Sequence, residues 1–462
     1  MANNTVSASS PVSLGSSSIG KLLVKYSLPA IVASLATSLY NIVDSIFIGR
    51  GVGPMAISGL AITFPLMNLV IAFCTLIAVG GATVSSIFLG QKNIRRATDV
   101  VNNVMLLCVI HAVVFGGLTL IFLDDILLFF GATAETIPYA REFMRVILYG
   151  TPFGYVFIGL NNLMRATGYP EKAMVSALLS VGVNIVLAPI FIFVFDWGIA
   201  GAAWATVAGQ FSAFLWVLRH FLSKKSYVHF EPRDNYLSPS LLKRIYSIGL
   251  SPFLMNCCAC LVVVFLNKAL LSSAGDMGNI AVGAYGIINR TTMFFVMIVF
   301  GVTQGMQPIL GFNFGAGNWD RVKSTLYKGF WIGTAITAIG SALTEIMPDV
   351  VSSMFTTDEN MIEIARIGFR IYFISYTLVG GQIVIQNYFQ SIGKPKLSIF
   401  LSLTRQLIFL LPLLWILPEY WGVDGVWASM AGSDILAFVL AFMTMIVTTR
   451  RYNKRFSTLK HA

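Results

Sequence analysis

Charge is what this chain has least of. Only 11% of its 462 residues are Asp, Glu, Lys or Arg, and 56% are hydrophobic, whereas soluble proteins carry about 25% charged residues. An ordinary soluble protein is excluded; a membrane protein with many spans remains. Cysteine and histidine are also sparse, at five and four. Cys74, Cys108, Cys257, Cys258 and Cys260 fall inside apolar stretches without metal-type spacing to histidine. This argues against a disulfide framework or zinc site and leaves packing as their role. His111 stands alone in an apolar run as a packed or helix-bonding residue. No Ser/His/Asp set, HExxH or P-loop lysine is present, so GVGP, VGGA and GFNFGAG read as helix packing and loops. The polar start MANNTVSASSPVSLGSSS lacks a basic region followed by an apolar core. It reads as a disordered tail over residues 1–20 and not as a signal peptide.

What is present is a series of apolar runs of about 20 residues, the length that crosses a bilayer. Twelve spans are expected near 23–48, 55–84, 100–123, 138–163, 173–195, 200–222, 245–271, 279–308, 324–346, 364–389, 397–417 and 424–448. The net charge of +11 does not point to nucleic acid, because the basic residues collect in the loops after the even-numbered spans. These loops hold Lys92, Arg95 and Arg96, then Lys224, Arg233 and Lys243, then Arg321 and Lys323. The alternate loops are acidic or mixed, with Asp124, Asp125, Asp276, Asp358 and Glu359. The positive-inside rule therefore puts both termini, the connector 223–243 and the basic tail 450–462 in the cytoplasm.

The chain is also a duplication. Pro29 precedes Asp44 as Pro252 precedes Asn267, and the match continues through Gly80 and Gly305, Asn93 and Asn318, Arg96 and Arg321, Gly168 and Gly393, Pro170 and Pro395, and Gly198 and Gly422. Six spans per repeat is an even number, so both halves enter the membrane from the same side. The expected fold is an all-α integral membrane protein of twelve transmembrane helices. It forms two six-helix lobes, 21–222 and 244–449, related by a pseudo-twofold axis along the membrane normal. Such architectures bind substrate in a central cleft and alternate its opening, which defines a secondary transporter.

Several polar residues interrupt the spans. Ser34, Thr37, Asn41 and Asp44 recur at helical spacing, so one face of the first helix is a polar stripe ending in a carboxylate. A charge at membrane depth costs about 2.5–3.5 kcal/mol on insertion scales, so it lines a cavity, finds a partner or has a task. Arg290, Arg405 and Asp434 also lie inside apolar runs. The simplest arrangement pairs Asp434 with one arginine, either to pin helices or to take part in coupling. Gln304, Gln307, Gln382, Asn161 and Asn162 at span centres are expected to face the cleft. Eighteen methionines and 13% aromatics are compatible with a repackable pocket for flat cations. Pro29 inside the first span reads from the residues as a tolerated kink.

LYNIVDSIFIGR, LGQKNIRRA with its counterpart FNFGAGNWDRV, RATGYPEKA, QSIGKPKLS, VNIVLAPIFIF and GIAGAAWATVAGQ together resemble the multidrug and toxic compound extrusion (MATE) family over residues 20–450. TQGMQPILGFNFGAG and LTRQLIFLLPLLWILP resemble a bacterial branch of it. The resemblance implies export of cationic or amphipathic small molecules from the bacterial cytoplasmic (inner) membrane, driven by inward H+ or Na+, without a cofactor and by a monomer in the lipid bilayer. It also implies a cation site in the N-terminal lobe, which maps onto Asp44, Asn184 and Thr206, with Asn41 on the Asp44 face, and it makes Pro29 the bend coupled to cleft closure. The family's second acid is missing: VNIVLAP puts Ala188 in its place. Dehydrated Na+ prefers hard oxygen ligands with compensating charge, so Na+ at Asp44, Asn184 and Thr206 is expected to bind weakly, and H+ is the preferred coupling ion. Another branch places its acids on helices seven, eight and ten. Here those regions carry Asn267, Asn289 and Gln382. The rival readings are a flippase of lipid-linked or amphipathic metabolites in the same superfamily and, in a different class, an intramembrane enzyme or receptor.

Overall fold

The computed structural model describes residues 13–224, 226–231 and 238–460. Residues 1–12 of the expected tail, Lys225 and 232–237 of the connector (Arg233 included), residues 461–462 and the side chains of 455–460 lie outside the described residues. Among the described residues every regular element is helical. Two short helices, Leu123–Phe129 and Pro348–Ser353, accompany twelve long ones. The expected tail is helical from Ser13 to Ser16, because Leu14 is fully buried there, and the first long helix already starts at Ile19.

The long helices are α1 (Ile19–Gly51), α2 (Pro54–Gly90), α3 (Ile94–Ile121), α4 (Ile137–Ala166), α5 (Pro170–Val194), α6 (Gly198–Leu222), α7 (Pro239–Ser273), α8 (Gly278–Gly315), α9 (Trp319–Ile346), α10 (Glu359–Ser391), α11 (395–421) and α12 (423–460). Ten candidate spans are long and apolar enough to cross a membrane. One of them, Pro395–Lys454, comprises both α11 and α12, which part at Gly422, where φ is 56° and ψ −131°. The other addition is α9, whose Thr and Ser residues face protein: Ser341 Oγ donates to Phe373 O over 2.7 Å and Thr337 Oγ1 to Thr377 O over 2.9 Å, both on α10. Small and hydroxylated residues at such a contact let two helices approach and hydrogen-bond.

Local chemistry sets the helix ends. Pro54, Pro170 and Pro395 occupy first-turn positions, where their missing N–H is not needed. The Asn93 side chain accepts from Arg96 N at 3.0 Å, and Asp358 accepts from Asn360 N and Met361 N, satisfying donors that a helix start leaves open. The duplication reappears in the backbone. Three repeat-related pairs share a positive φ, Lys92 (58°) with Gly317 (74°), Gly168 (104°) with Gly393 (70°), and Gly198 (54°) with Gly422 (56°).

The chain divides into two compact units. One contains Val32–Phe253, so it holds α2 to α6, the rest of α1 and the start of α7. The other contains Ser18–Ile31 and the chain from Leu254 on. In the first, α4 packs against α2, α3 and α6; in the second, α10 takes the same place against α8, α9 and the α11–α12 segment. Two thirds of the most apolar stretch of each central helix is buried in protein. That is why α4 and α10 tolerate more polar residues than helices that face lipid.

Candidate functional site

Asp44 lies seven residues before the end of α1, roughly 10 Å along the axis at 1.5 Å per residue. It is 8% exposed. Its Oδ1 is buried and has no hydrogen-bond partner among the described residues. Of the other stripe residues, Thr37 and Asn41 are exposed and Ser34 is half-buried, so the stripe rotates from an open to a closed environment as it reaches Asp44. The hydroxyls of Thr37 and Ser45 donate to their own helix, to Ala33 O at 2.9 Å and Asn41 O at 2.8 Å, and do not reach the carboxylate. Tyr40, one turn before Asp44, couples to it electrostatically. The i, i+4 spacing was the sequence signal for this neighbour.

Asn184 on α5 and Thr206 on α6 are brought together. Asn184 Nδ2 donates to Thr206 Oγ1 at 3.0 Å, and Thr206 Oγ1 donates to Ala202 O at 3.2 Å. Both side chains are buried. Each of the three candidate residues has an apolar neighbour one turn away: Ile48 after Asp44, Ala188 after Asn184, Ala202 before Thr206. These three belong to one core cluster, with Ile192 and Ile199, and all are buried. The position of the family's second acid is therefore an apolar layer. Sequence showed the substitution at Ala188 but not that it shares a buried core cluster with Ile48 and Ala202.

The residues expected in the other half are placed less uniformly. Asp434 is paired with Arg405, Nε to Oδ1 at 2.7 Å. The Asp434 side chain is only 3% exposed, and its Oδ2 has no partner within hydrogen-bonding geometry. Tyr372 and Tyr376 couple electrostatically to the same pair; neither was visible as a partner in the sequence. Arg290 is exposed and, among the described residues, forms no ion pair with Asp434. Arg405 lies in a π-helical turn, Thr404–Leu410, and a second such turn, Ile190–Val194, ends α5. Such turns widen a helix and recur at functional sites. Gln307 is buried and Gln304 half-buried on α8. Gln382 is 1% exposed, and neither its Nε2 nor its Oε1 has a hydrogen-bond partner among the described residues. Nearby, Gln386 Nε2 contacts Ser402 Oγ and Met255 Sδ. Pro29 is buried within α1, three residues before that helix passes from one compact unit to the other. Among the described residues no group of three or more His, Cys, Asp or Glu could hold a metal ion.

The MatE family profile matches residues 29–190 and 256–416, one stretch in each repeat. The chain belongs to the MatE family. It is 27% identical over 435 residues to the multidrug export protein MepA of Staphylococcus haemolyticus, covering 94% of this chain and 95% of that protein. Among solved structures it is similar to an outward-facing multidrug resistance MATE family transporter of the MOP superfamily, at 25% identity and TM-score 0.89, over 97% and 98% of the two chains. It also shares the fold of a MATE in the bent conformation, at 24% identity and TM-score 0.91, over 97% and 99%. The all-helical, twelve-span fold is thus that of the family, and the protein is a multi-pass membrane transporter, not an enzyme.

Proposed function

We propose that this MatE transporter exports cationic or amphipathic compounds in exchange for protons, with Asp44 as the group that takes up and releases the proton. Multidrug export is the activity for which its relatives are named. The observation that carries the coupling assignment is the environment of Asp44: among the described residues its buried carboxyl oxygen has no donor and no cationic side chain forms an ion pair with it. A proton on that carboxyl removes a charge that nothing else in the site compensates. Na+ is the less favoured ion. Thr206 Oγ1 is engaged by Asn184 and Ala202, and Ala188 brings no second carboxylate, so few oxygens remain for a dehydrated cation.

The rest of the reading follows from the duplication and the loop charges. Transport proceeds by alternating access around the parallel repeat, with Pro29 as the flexible point of α1. The protein works as a monomer in a bacterial cytoplasmic membrane, with both termini inside. The test is ethidium efflux in everted vesicles under separately imposed proton and Na+ gradients. A proton gradient alone should drive efflux in wild type and not in Asp44→Asn. Efflux driven by Na+ alone, and indifferent to the proton gradient, overturns the assignment.

A further inference from the structure

The unit that contains Asp44 has a second charged feature, at the opposite end of its helices. A cavity of about 450 Å3 is lined by Phe88 at the end of α2, Arg96, Asp99 and Asn103 on α3, and Ser238 and Arg244 at the start of α7. Two guanidinium groups converge on one ring: Arg244 Cζ lies 4.9 Å and Arg96 Cζ 5.6 Å from the centre of Phe88. Like charges held on one ring repel unless an anion is shared between them, and no carboxylate forms an ion pair with either arginine among the described residues.

The other repeat shows what is missing. There Arg321, the counterpart of Arg96, donates from Nε to Asn313 Oδ1 at 2.9 Å. The residue equivalent to Asn313 is Phe88, which offers a ring face and no acceptor oxygen. Deeper in the cavity Asn103 is 1% exposed. Its Nδ2 donates to Asp99 O at 2.7 Å, while its Oδ1 is buried without a donor. A buried acceptor left open in this way calls for a donor from outside the protein. The cavity thus offers two cationic forks and, on Asn103, one open acceptor.

We propose that this cavity binds a phosphate ester that also carries a hydroxyl or ammonium donor, with the phosphate on Arg96 and Arg244 and the donor on Asn103 Oδ1. Arginine forks suit phosphate oxygens. The start of α7 adds the hydroxyl-bearing residues Ser238 and Ser240 to the cavity lining. Two sources carry that chemistry: the headgroup of a phospholipid such as phosphatidylglycerol, and a soluble glycerol phosphate. Phosphatidylcholine has the phosphate without the donor. Basic pockets at the cytoplasmic ends of spanning helices bind headgroups of this kind.

The full-length protein in vesicles of phosphatidylcholine with a minor share of phosphatidylglycerol, extracted gently and read by native mass spectrometry, tests the site. Retained phosphatidylglycerol should exceed its share of the vesicle lipid, and R96Q/R244Q should lose it by about ten-fold, the loss of roughly 1.4 kcal/mol. Millimolar sn-glycerol 3-phosphate added to wild type separates the sources. Displacement of the lipid, or a melting shift in protein held only in phosphatidylcholine, places the soluble ester in the same site. If the double variant does not fold, R96Q at the exposed rim carries the test, with a fall of at least about three-fold expected. Retention in proportion to vesicle composition, unchanged by the variants and by glycerol phosphate, overturns the proposal.

Discussion

Asp44 and Asn267 occupy equivalent turns of α1 and α7, and each has a buried Oδ1 with no hydrogen-bond donor among the described residues. The duplication has kept the position and discarded the charge in one half. Of the two, only Asp44 carries a carboxyl group. Asp44→Asn should therefore reduce proton-driven ethidium efflux by on the order of ten-fold or more, a coupling free energy of about 1–3 kcal/mol, with membrane expression unchanged. Adding Asn267→Asp to that variant should not restore efflux. Equal efflux by wild type and Asp44→Asn in energised cells would remove Asp44 from the mechanism.

Ala188→Asp tests why the second acid is absent. The new carboxyl would enter the core cluster that holds Ile48, Ala202 and Ile192, all fully or almost fully buried. We expect destabilisation of about 3 kcal/mol, the cost of an acid at bilayer depth. Bound Na+ should offset part of it, by about 2.7 kcal/mol when its concentration is one hundred times the dissociation constant. The check is the melting temperature of the purified protein in NaCl against KCl at equal ionic strength. A Na+-specific rise in the variant and not in wild type is expected; no rise in either means that position 188 does not complete a cation site.

The twelve spans were legible because lipid demands long apolar runs, and even α9 was placed by its bounding charges. Gly422 was legible as the repeat partner of Gly198. The partners of buried polar groups were not. Arg290 and Arg405 look alike in sequence, yet one is exposed and the other meets Asp434, because periodicity fixes the face of a helix and not the neighbour across from it. The Phe88 contact with Arg96 and Arg244 joins three helices and left no mark in spacing. Asp44 stood out in the sequence as a charge inside an apolar run, while its burial beside an apolar core cluster depended on packing.

Thr206→Val separates the hydrogen bond from the shape of the side chain. Valine fills the same space and leaves Asn184 Nδ2 without its acceptor at 3.0 Å. An orphaned buried donor costs about 1–3 kcal/mol, so the melting temperature and efflux should both fall, and Thr206→Ser should retain most of each. If valine and serine behave alike, the Asn184–Thr206 bond does not organise the site.

The Arg405–Asp434 pair admits a sharper distinction, between a pin and a participant. Its carboxylate is almost fully buried and its arginine about one quarter exposed. Arg405→Leu leaves an uncompensated buried charge, for which about 3–5 kcal/mol of destabilisation is expected. Neutralising both partners, Arg405→Gln with Asp434→Asn, removes the charge and keeps two groups able to hydrogen-bond each other. The double variant should therefore recover most of the melting temperature. Efflux then decides the role: recovery along with stability means that the pair only holds α11 to α12. A stable double variant that no longer exports ethidium means that the charges in this half take part in transport, and Asp44 would then share the coupling.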